Sequence, residues 1–185
     1  PDQALNGLHL EDSLVQFDDL VLADHQQGLL EVCAKNLSSE QTTVITLVGG
    51  PGSGKTSVTH ALARSAARRV LRVSPASILD PRRSISDNLG VLRNLSEVLQ
   101  AVVLLEPAED FFPARGNETS LGSHWRSLLE KPPASLVLAV EQAEAFAGFA
   151  AAMSDVLVTL GGPRGSGRTR LWAKATAHVT LENDV

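Results

Sequence analysis

The sequence contains little cysteine, and this excludes several kinds of site. Cys33 is the only cysteine among 185 residues, so the chain cannot form an internal disulfide framework. The residues around Cys33 show no metal-binding pattern, and the five histidines are scattered without the spacing of metal ligands. We therefore expect Cys33 to be a small core residue of an early helix.

Positive charge and long apolar runs are also scarce. The 16 lysines and arginines are outnumbered by 21 aspartates and glutamates, and the net charge of −5 argues against nucleic acid as a partner. No apolar run reaches the length of a membrane span and no secretory signal peptide is visible, so we expect a cytoplasmic location. Since the chain begins at Pro1 rather than Met, we also expect it to be part of a longer protein.

One glycine-rich stretch carries the strongest motif of the chain. It reads Gly49-Gly50-Pro51-Gly52-Ser53-Gly54-Lys55-Thr56 and fits the phosphate-binding loop pattern G-x-x-x-x-G-K-[ST]. A β-branched run at 43–48 predicts a buried strand before this loop, and residues 57–67 predict a helix after it. Glycines let backbone N–H groups turn toward a β-phosphate, and the helix N-terminus adds the positive end of its dipole.

Two side chains at the end of this loop also fit the binding of a nucleotide phosphate. Lys55 would reach the β- and γ-phosphates, and the Thr56 hydroxyl would ligate Mg²⁺. A glycine-rich turn that binds nothing is the alternative, and the succession of strand, loop and helix argues against it. The guanine-selective N-K-x-D pattern is absent, which favours ATP or ADP as the ligand. The predicted phosphate site comprises Gly49, Gly50, Pro51, Gly52, Ser53, Gly54, Lys55, Thr56 and Ser57.

Predicted strands and helices alternate along the chain. After the strand at 43–48, further strands are predicted at 70–74, 101–105, 135–140 and 155–160, with helices between them. This alternation predicts an α/β fold, a P-loop NTPase-like three-layer sandwich with a five-stranded parallel sheet and helices on both faces. We expect residues 1–16 to be a leader segment and residues 17–185 to form one nucleotide-binding domain.

The second half of the chain resembles AAA+ ATPases. Residues 102–115 are similar to the second nucleotide motif of that family, in which an apolar strand ends in Asp-Glu. Phe17-Asp18-Asp19-Leu20 is similar to the short motif that borders the adenine pocket in many AAA modules. Residues 136–140 resemble the strand carrying sensor 1, and residues 155–172 resemble the stretch leading into the lid. The resemblance covers residues 17–180 and implies a module with no helical lid in this chain.

The chain departs from the AAA+ pattern at the residues that support hydrolysis. Glu106 stands where the family has the Asp that holds the magnesium-bound water, and Pro107 stands where it has the Glu that activates the attacking water. Proline offers no side-chain acid or base. The polar sensor 1 residue falls near Glu141 or Gln142, and the stretch 150–152, where arginine fingers would fall, contains no arginine. The resemblance therefore implies a module that binds nucleotide and hydrolyses it poorly.

Several alternatives concern single residues. Glu109 or Asp110 is the alternative catalytic acid if the motif is aligned differently. The stretch 162–169 looks like a second phosphate loop with Arg168 in place of Lys, but too little chain follows to build a second sheet, so a turn is the better interpretation. The recurrence of Arg64, Arg68 and Arg72 every four residues indicates a solvated helix face rather than a nucleic-acid stripe.

The sequence thus predicts an ATP-binding AAA+-type module that forms a regulatory or structural part of an oligomeric remodelling machine. The expected partners are other AAA+ subunits or a tandem AAA+ domain and a protein substrate. Thr56 and Glu106 are the expected metal residues. Three rivals stay open: an active ATPase using Glu106, Glu109 or Asp110, a P-loop small-molecule kinase, and a structural interaction domain with a vestigial loop. For the kinase, only Arg164, Arg168 and Arg170 hint at the required arginine cluster.

Overall fold

The computed structural model describes residues 7–39, 42–78, 84–111, 132, 134–141, 154–162, 165, 167, 169 and 171–173. Its strands are β1 (Leu8–Glu11), β2 (Val44–Val48), β3 (Arg69–Val73), β4 (Ala101–Leu105), β5 (Leu136–Val140) and β6 (Val156–Thr159). Its α-helices are α1 (Asp24–Ser38), α2 (Lys55–Ser65), α3 (Pro75–Ile78) and α4 (Ile85–Val98). Two 3₁₀ helices span Phe17–Asp19 and Ala108–Phe111.

The strands form one mostly parallel sheet in the order β1-β3-β4-β5-β2-β6. The pairs β3–β4, β4–β5, β5–β2 and β2–β6 are parallel, and these are the five strands that the sequence predicts. Helices flank the sheet on both sides. The predicted P-loop NTPase-like α/β fold is therefore confirmed, and within the described residues no helical lid is present.

The strand β1 corrects the prediction of a five-stranded, wholly parallel sheet. It pairs antiparallel with β3, with Leu8 opposite Val73 and Leu10 opposite Leu71. Its two leucines pack against the core, while His9 between them is exposed. Residues 8–11 alternate apolar and polar side chains, but the run is too short to predict a strand by itself. The sheet therefore begins inside the segment 1–16 that the sequence predicts as a leader.

The core lies on both faces of the sheet, because the central strands are covered on each side. On β4, Val102 and Leu104 pack in a cluster with α1 and α2, whereas Val103 and Leu105 pack in a second cluster with α3 and α4. The five residues of β4 are fully buried. A parallel strand buried on both faces reads as a continuous apolar run, and Ala101-Val102-Val103-Leu104-Leu105 is such a run.

The strand order decides which segments meet. Parallel strands end at the same edge of the sheet, so the loop after β2, the residues after β4 and Glu141 after β5 share one edge. Because β5 lies between β2 and β4, the glycine-rich loop and Glu106 approach each other across the end of β5. No helix among the described residues is long and apolar enough to cross a membrane.

Candidate nucleotide-binding site

The glycine-rich loop between β2 and α2 needs glycine at particular positions. Gly52 and Gly54 have φ angles of +73° and +92°, a left-handed conformation that residues with a Cβ rarely adopt. Gly49 is required for a different reason, because a Cβ there would lie 2.5 Å from Ser53 Oγ and 2.6 Å from the Leu160 carbonyl oxygen. Three of the motif's glycines are thus explained by backbone conformation or close approach.

Neighbouring strands hold the start of the loop in place. The Gly49 N–H donates to the Val140 carbonyl at 2.9 Å, and the Leu160 N–H donates to the Val48 carbonyl at 2.7 Å. Within the loop, the Ser53 N–H donates to the Gly50 carbonyl at 3.1 Å. The ends of β2, β5 and β6 are therefore joined by hydrogen bonds where the loop leaves the sheet.

Helix α2 begins at Lys55, directly after the loop. Its N-cap is Gly54, which has no side chain to accept a hydrogen bond from the first turn. The first i to i−4 bond runs from the Val58 N–H to the Gly54 carbonyl at 2.8 Å. The N–H groups before Val58 have no acceptor within the helix, as in the first turn of any α-helix. Together with the helix dipole they favour an anion at this end of α2.

The ammonium of Lys55 lies inside the loop. Its Nζ donates to the Gly49 carbonyl at 2.6 Å and to the Gly50 carbonyl at 3.2 Å, and the residue is only 6% exposed. A buried positive charge enclosed by loop backbone can neutralise a phosphate held by the same loop. To bond to that phosphate, the ammonium would exchange part of its contact with these two carbonyls.

Glu106 contacts residues from two other elements. Its Oε1 and Oε2 lie 3.0 and 3.2 Å from the Thr56 Oγ1 at the start of α2, and the hydroxyl donates to them. Its Oε2 also lies 2.9 Å from Nη2 of Arg72 on β3. The Glu106 side chain is 17% exposed and that of Arg72 is 43% exposed. We call these three residues the Thr56–Glu106–Arg72 network.

The oxygen atoms at Thr56 and Glu106 fit Mg²⁺. Magnesium prefers oxygen ligands and is commonly held by one or two protein groups together with substrate phosphates. A hydroxyl and a carboxylate within hydrogen-bonding distance of each other supply such a pair. Among the described residues no group of three or more His, Cys, Asp or Glu side chains could hold a metal ion. Thr56 and Glu106 by themselves do not complete the coordination of a metal ion, so phosphate oxygens would have to supply further ligands.

The residues after Glu106 place a second carboxylate at the same edge. Pro107 is followed by the 3₁₀ helix, in which Ala108 and Phe111 are buried and Asp110 is exposed. The Glu141 N–H, directly after β5, donates to Glu109 Oε1. Glu109 therefore lies at the end of the central strand, and one of its carboxylate oxygens is engaged by backbone. The alternative that Glu109 is a catalytic acid stays a prediction.

The Phe17-Asp18-Asp19 motif lies beside α2. The Gln16 N–H donates to Asp19 Oδ2 at 2.9 Å and closes the 3₁₀ turn. Phe17 packs against the core cluster that includes α1 and α2. Gln16, Phe17 and Asp18 line a shallow groove together with Ala61, Arg64 and Ser65 of α2. These α2 residues lie away from the loop, so the predicted contact with adenine stays a prediction.

Arg72 was misinterpreted from the sequence. It belongs to β3, whereas Arg64 belongs to α2, so the predicted helix-face stripe of Arg64, Arg68 and Arg72 does not exist. In the parallel register Arg72 lies opposite Leu104, and Glu106 follows two residues later on the same face. No signal in the sequence links Arg72 to Glu106, because the link depends on which strands pair.

Several predicted positions lie outside the described residues. They are Gln142, the stretch 150–152, Arg164, Arg168 and Arg170. The sensor 1 assignment to Gln142, the missing arginine fingers and the kinase arginines therefore stay predictions. Gly165 of the second glycine-rich stretch is described and has a φ angle of +52°.

Fold and site together define a P-loop nucleotide-binding module. Residues 45–131 match the family model described as "ATPase family associated with various cellular activities (AAA)". This range includes the loop, the strands β3 and β4, and Glu106. The match covers slightly less than half of the chain, and it confirms the resemblance of these residues to the AAA+ ATPases. No curated protein matches the chain.

Proposed function

We propose that this chain is an ATP-binding AAA+-type module that hydrolyses ATP poorly and serves as a regulatory or structural part of an oligomeric remodelling machine. One observation carries the proposal. The phosphate loop is fully formed, with Lys55 enclosed by it, yet the catalytic position after Glu106 is occupied by Pro107. The residues that bind phosphate are retained, whereas the carboxylate that would act as general base in hydrolysis is replaced by Pro107.

The residues of the site have separate proposed roles. The loop N–H groups and Lys55 bind the phosphates, while Thr56 and Glu106 would hold Mg²⁺. A metal ion held by these two residues would supply positive charge that neutralises the nucleotide phosphates. Pro107 cannot accept a proton from an attacking water, so general-base catalysis at that position is lost. Bound ATP would therefore be converted to ADP only slowly.

Nucleotide binding is tested first by calorimetry with ATP and ADP in the presence of Mg²⁺. Lys55→Ala should weaken binding at least about tenfold, because an enclosed charge on the phosphates is removed. Lys35→Ala, which removes an exposed lysine on α1, is the matched control and should bind like the unchanged chain. Equal affinity in all three proteins would overturn the loop as the binding site.

Hydrolysis is tested by phosphate release from the same samples. The unchanged chain should release phosphate near the background rate. Pro107→Glu restores a carboxylate where the family has its base, and a positioned general base contributes about 10²–10⁴-fold. We expect at least a tenfold gain, while Pro107→Ala, which removes the ring without adding an acid, should gain nothing. Substantial release by the unchanged chain would contradict poor hydrolysis.

An active ATPase is the second candidate function, and Glu109 is the observation that favours it. Its carboxylate lies at the end of β5, on the same sheet edge as the loop. If it is the base, Glu109→Gln should abolish magnesium-dependent phosphate release while ATP binding persists. Asp110→Asn tests the other candidate acid, and it should leave phosphate release unchanged if Glu109 is the base. ADP formation that needs a small-molecule acceptor and yields no free phosphate would instead indicate a kinase.

The proposed assembly follows from the family. AAA modules form oligomers with other AAA subunits, and we propose such subunits or a tandem AAA+ domain as partners, a protein as substrate and the cytoplasm as location. The measurement is light scattering of the purified chain with and without ATP and Mg²⁺. A chain that neither binds nucleotide nor assembles would point to a structural interaction domain with a vestigial loop.

A further inference from the structure

The Thr56–Glu106–Arg72 network joins a proposed metal site to a fixed positive charge. Thr56 Oγ1 donates to both Glu106 oxygens at 3.0 and 3.2 Å, and Arg72 Nη2 lies 2.9 Å from Oε2. The two groups that would hold Mg²⁺ are thus hydrogen-bonded to each other, and Glu106 also forms an ion pair with the guanidinium of Arg72.

This ion pair differs from the other arginine–carboxylate pairs among the described residues. The carboxylates of Asp12 and Glu97 are 74% and 53% exposed in their pairs with Arg69 and Arg93, whereas the Glu106 side chain is 17% exposed. Exposed pairs are screened by water and contribute little. A mostly buried carboxylate is screened less, so the charge of Arg72 matters more for what else Glu106 can bind.

We propose that Arg72 is a built-in cation that competes with Mg²⁺ for Glu106, so that this module binds ATP with little dependence on magnesium. A divalent ion at Glu106 would either displace the guanidinium or lie close to its positive charge, and both lower the affinity of the site for the metal. The guanidinium meanwhile neutralises the carboxylate beside the phosphate loop, so phosphates can approach it without the metal. The inference rests on the proposed function, since it concerns the same nucleotide site.

The test measures the dissociation constant of ATP in excess Mg²⁺ and in excess EDTA. The readout is the ratio of the EDTA value to the Mg²⁺ value, which does not depend on hydrolysis. In the unchanged chain this ratio should be below about 3. Arg72→Gln removes the competing charge, and the ratio should rise at least about fivefold, in the range usual for coupling between two sites. Arg72→Lys keeps the charge and should keep most of the low ratio.

Arg69→Gln is the matched control, because Arg69 lies on the same strand and pairs with Asp12 rather than Glu106. Its ratio should equal that of the unchanged chain. Circular dichroism of each variant checks that the fold is kept, which the half-exposed position of Arg72 favours. A ratio that stays the same in Arg72→Gln, with binding that still requires Lys55, would overturn the role of Arg72 and leave the proposed function standing. If ATP binding does not depend on Lys55 in any of these proteins, the role of Arg72 and the proposed function are both overturned.

Discussion

Gly49 is the glycine of the loop with the least space around it. Its backbone passes so close to Ser53 Oγ and the Leu160 carbonyl that an added Cβ would lie 2.5 and 2.6 Å from them. The serine side chain could rotate, but the carbonyl belongs to backbone that leaves β6 and cannot move alone. The geometry therefore explains why this first position of the motif is glycine.

Gly49→Ala should destabilise the protein. Forcing an atom into filled space typically costs about 1–3 kcal/mol, and the displaced loop should also bind ATP more weakly. Urea unfolding measures the first effect and calorimetry the second. Gly50→Ala is the matched control, since nothing lies within 4 Å of the Cβ position there and its φ angle is not positive. Equal loss of stability in both variants would contradict the steric explanation.

Cys33 shows what burial does to an ionisable group in the core. It is fully buried on α1, and burial raises the pKa of its thiol from 9.0 to about 11. Between these two values the unfolded chain loses the thiol proton and the native chain keeps it. The native state then binds more protons, so this thiol lowers stability as the pH rises from 9 to 11.

The predicted effect is measured by comparing urea unfolding at pH 8 and pH 10.5. The unchanged chain should lose about 2 kcal/mol more stability over this interval than Cys33→Ala, which has no thiol to ionise. The variant also corrects for other groups that titrate in the same range. An identical loss in both proteins would show that Cys33 ionises equally in the native and unfolded chains.

The strand β1 is the element that extends the sheet beyond the predicted domain. Its Glu11 Oε2 lies 2.9 Å from His60 Nε2 of α2, and Arg64 Nη1 of α2 donates to the Leu14 carbonyl at 2.8 Å. Strand pairing with β3 and these two links to α2 tie the segment to the domain on two sides. The start of the domain at residue 17 stays a prediction, and β1 argues for an earlier start.

Removal of β1 should therefore lower stability. A chain beginning at Asp12 loses the partly buried Leu8 and Leu10 and exposes the edge of β3, which we expect to cost about 2–4 kcal/mol. The reference is a chain beginning at Gly7, so that the comparison concerns β1 alone. The denaturation midpoints of the two chains measure the difference. Equal midpoints would indicate that the domain is complete without β1.

At the scale of the whole molecule, the described residues pack two separate apolar clusters against the sheet. Leu104 and Leu105 are neighbours on β4 and are both fully buried, but they lie in different clusters on opposite faces. Helices α1 and α2 cover one face, and α3 and α4 cover the other. The three-layer arrangement thus predicts that successive residues of this strand are equally sensitive to truncation.

Leu104→Ala and Leu105→Ala should each cost about 2–5 kcal/mol, because each leaves a cavity in a filled core. Val98→Ala is the control, since Val98 is 80% exposed and its truncation should change stability by less than about 0.5 kcal/mol. Chemical unfolding of the three variants gives the values. A large loss at only one of the two leucines would mean that one face of the sheet is poorly covered.

The sequence by itself determined the phosphate loop, the five parallel strands, the AAA+ resemblance and the loss of a carboxylate at Pro107. Each of these depends on residues close together in the chain, where motif spacing and hydrophobic periodicity are direct signals. Glu106 could also be placed near Thr56, because the resemblance supplies that pairing.

Only the tertiary structure decided the additional strand β1, the contact of Glu109 with Glu141 and the position of Arg72 beside Glu106. Leu8–Glu11 becomes a strand because β3 offers it an edge, and four alternating residues do not specify that partner. Arg72 meets Glu106 because β3 pairs with β4 in a register that puts Arg72 opposite Leu104. Such contacts join residues far apart in the chain, and only the packing of the sheet determines which of them form.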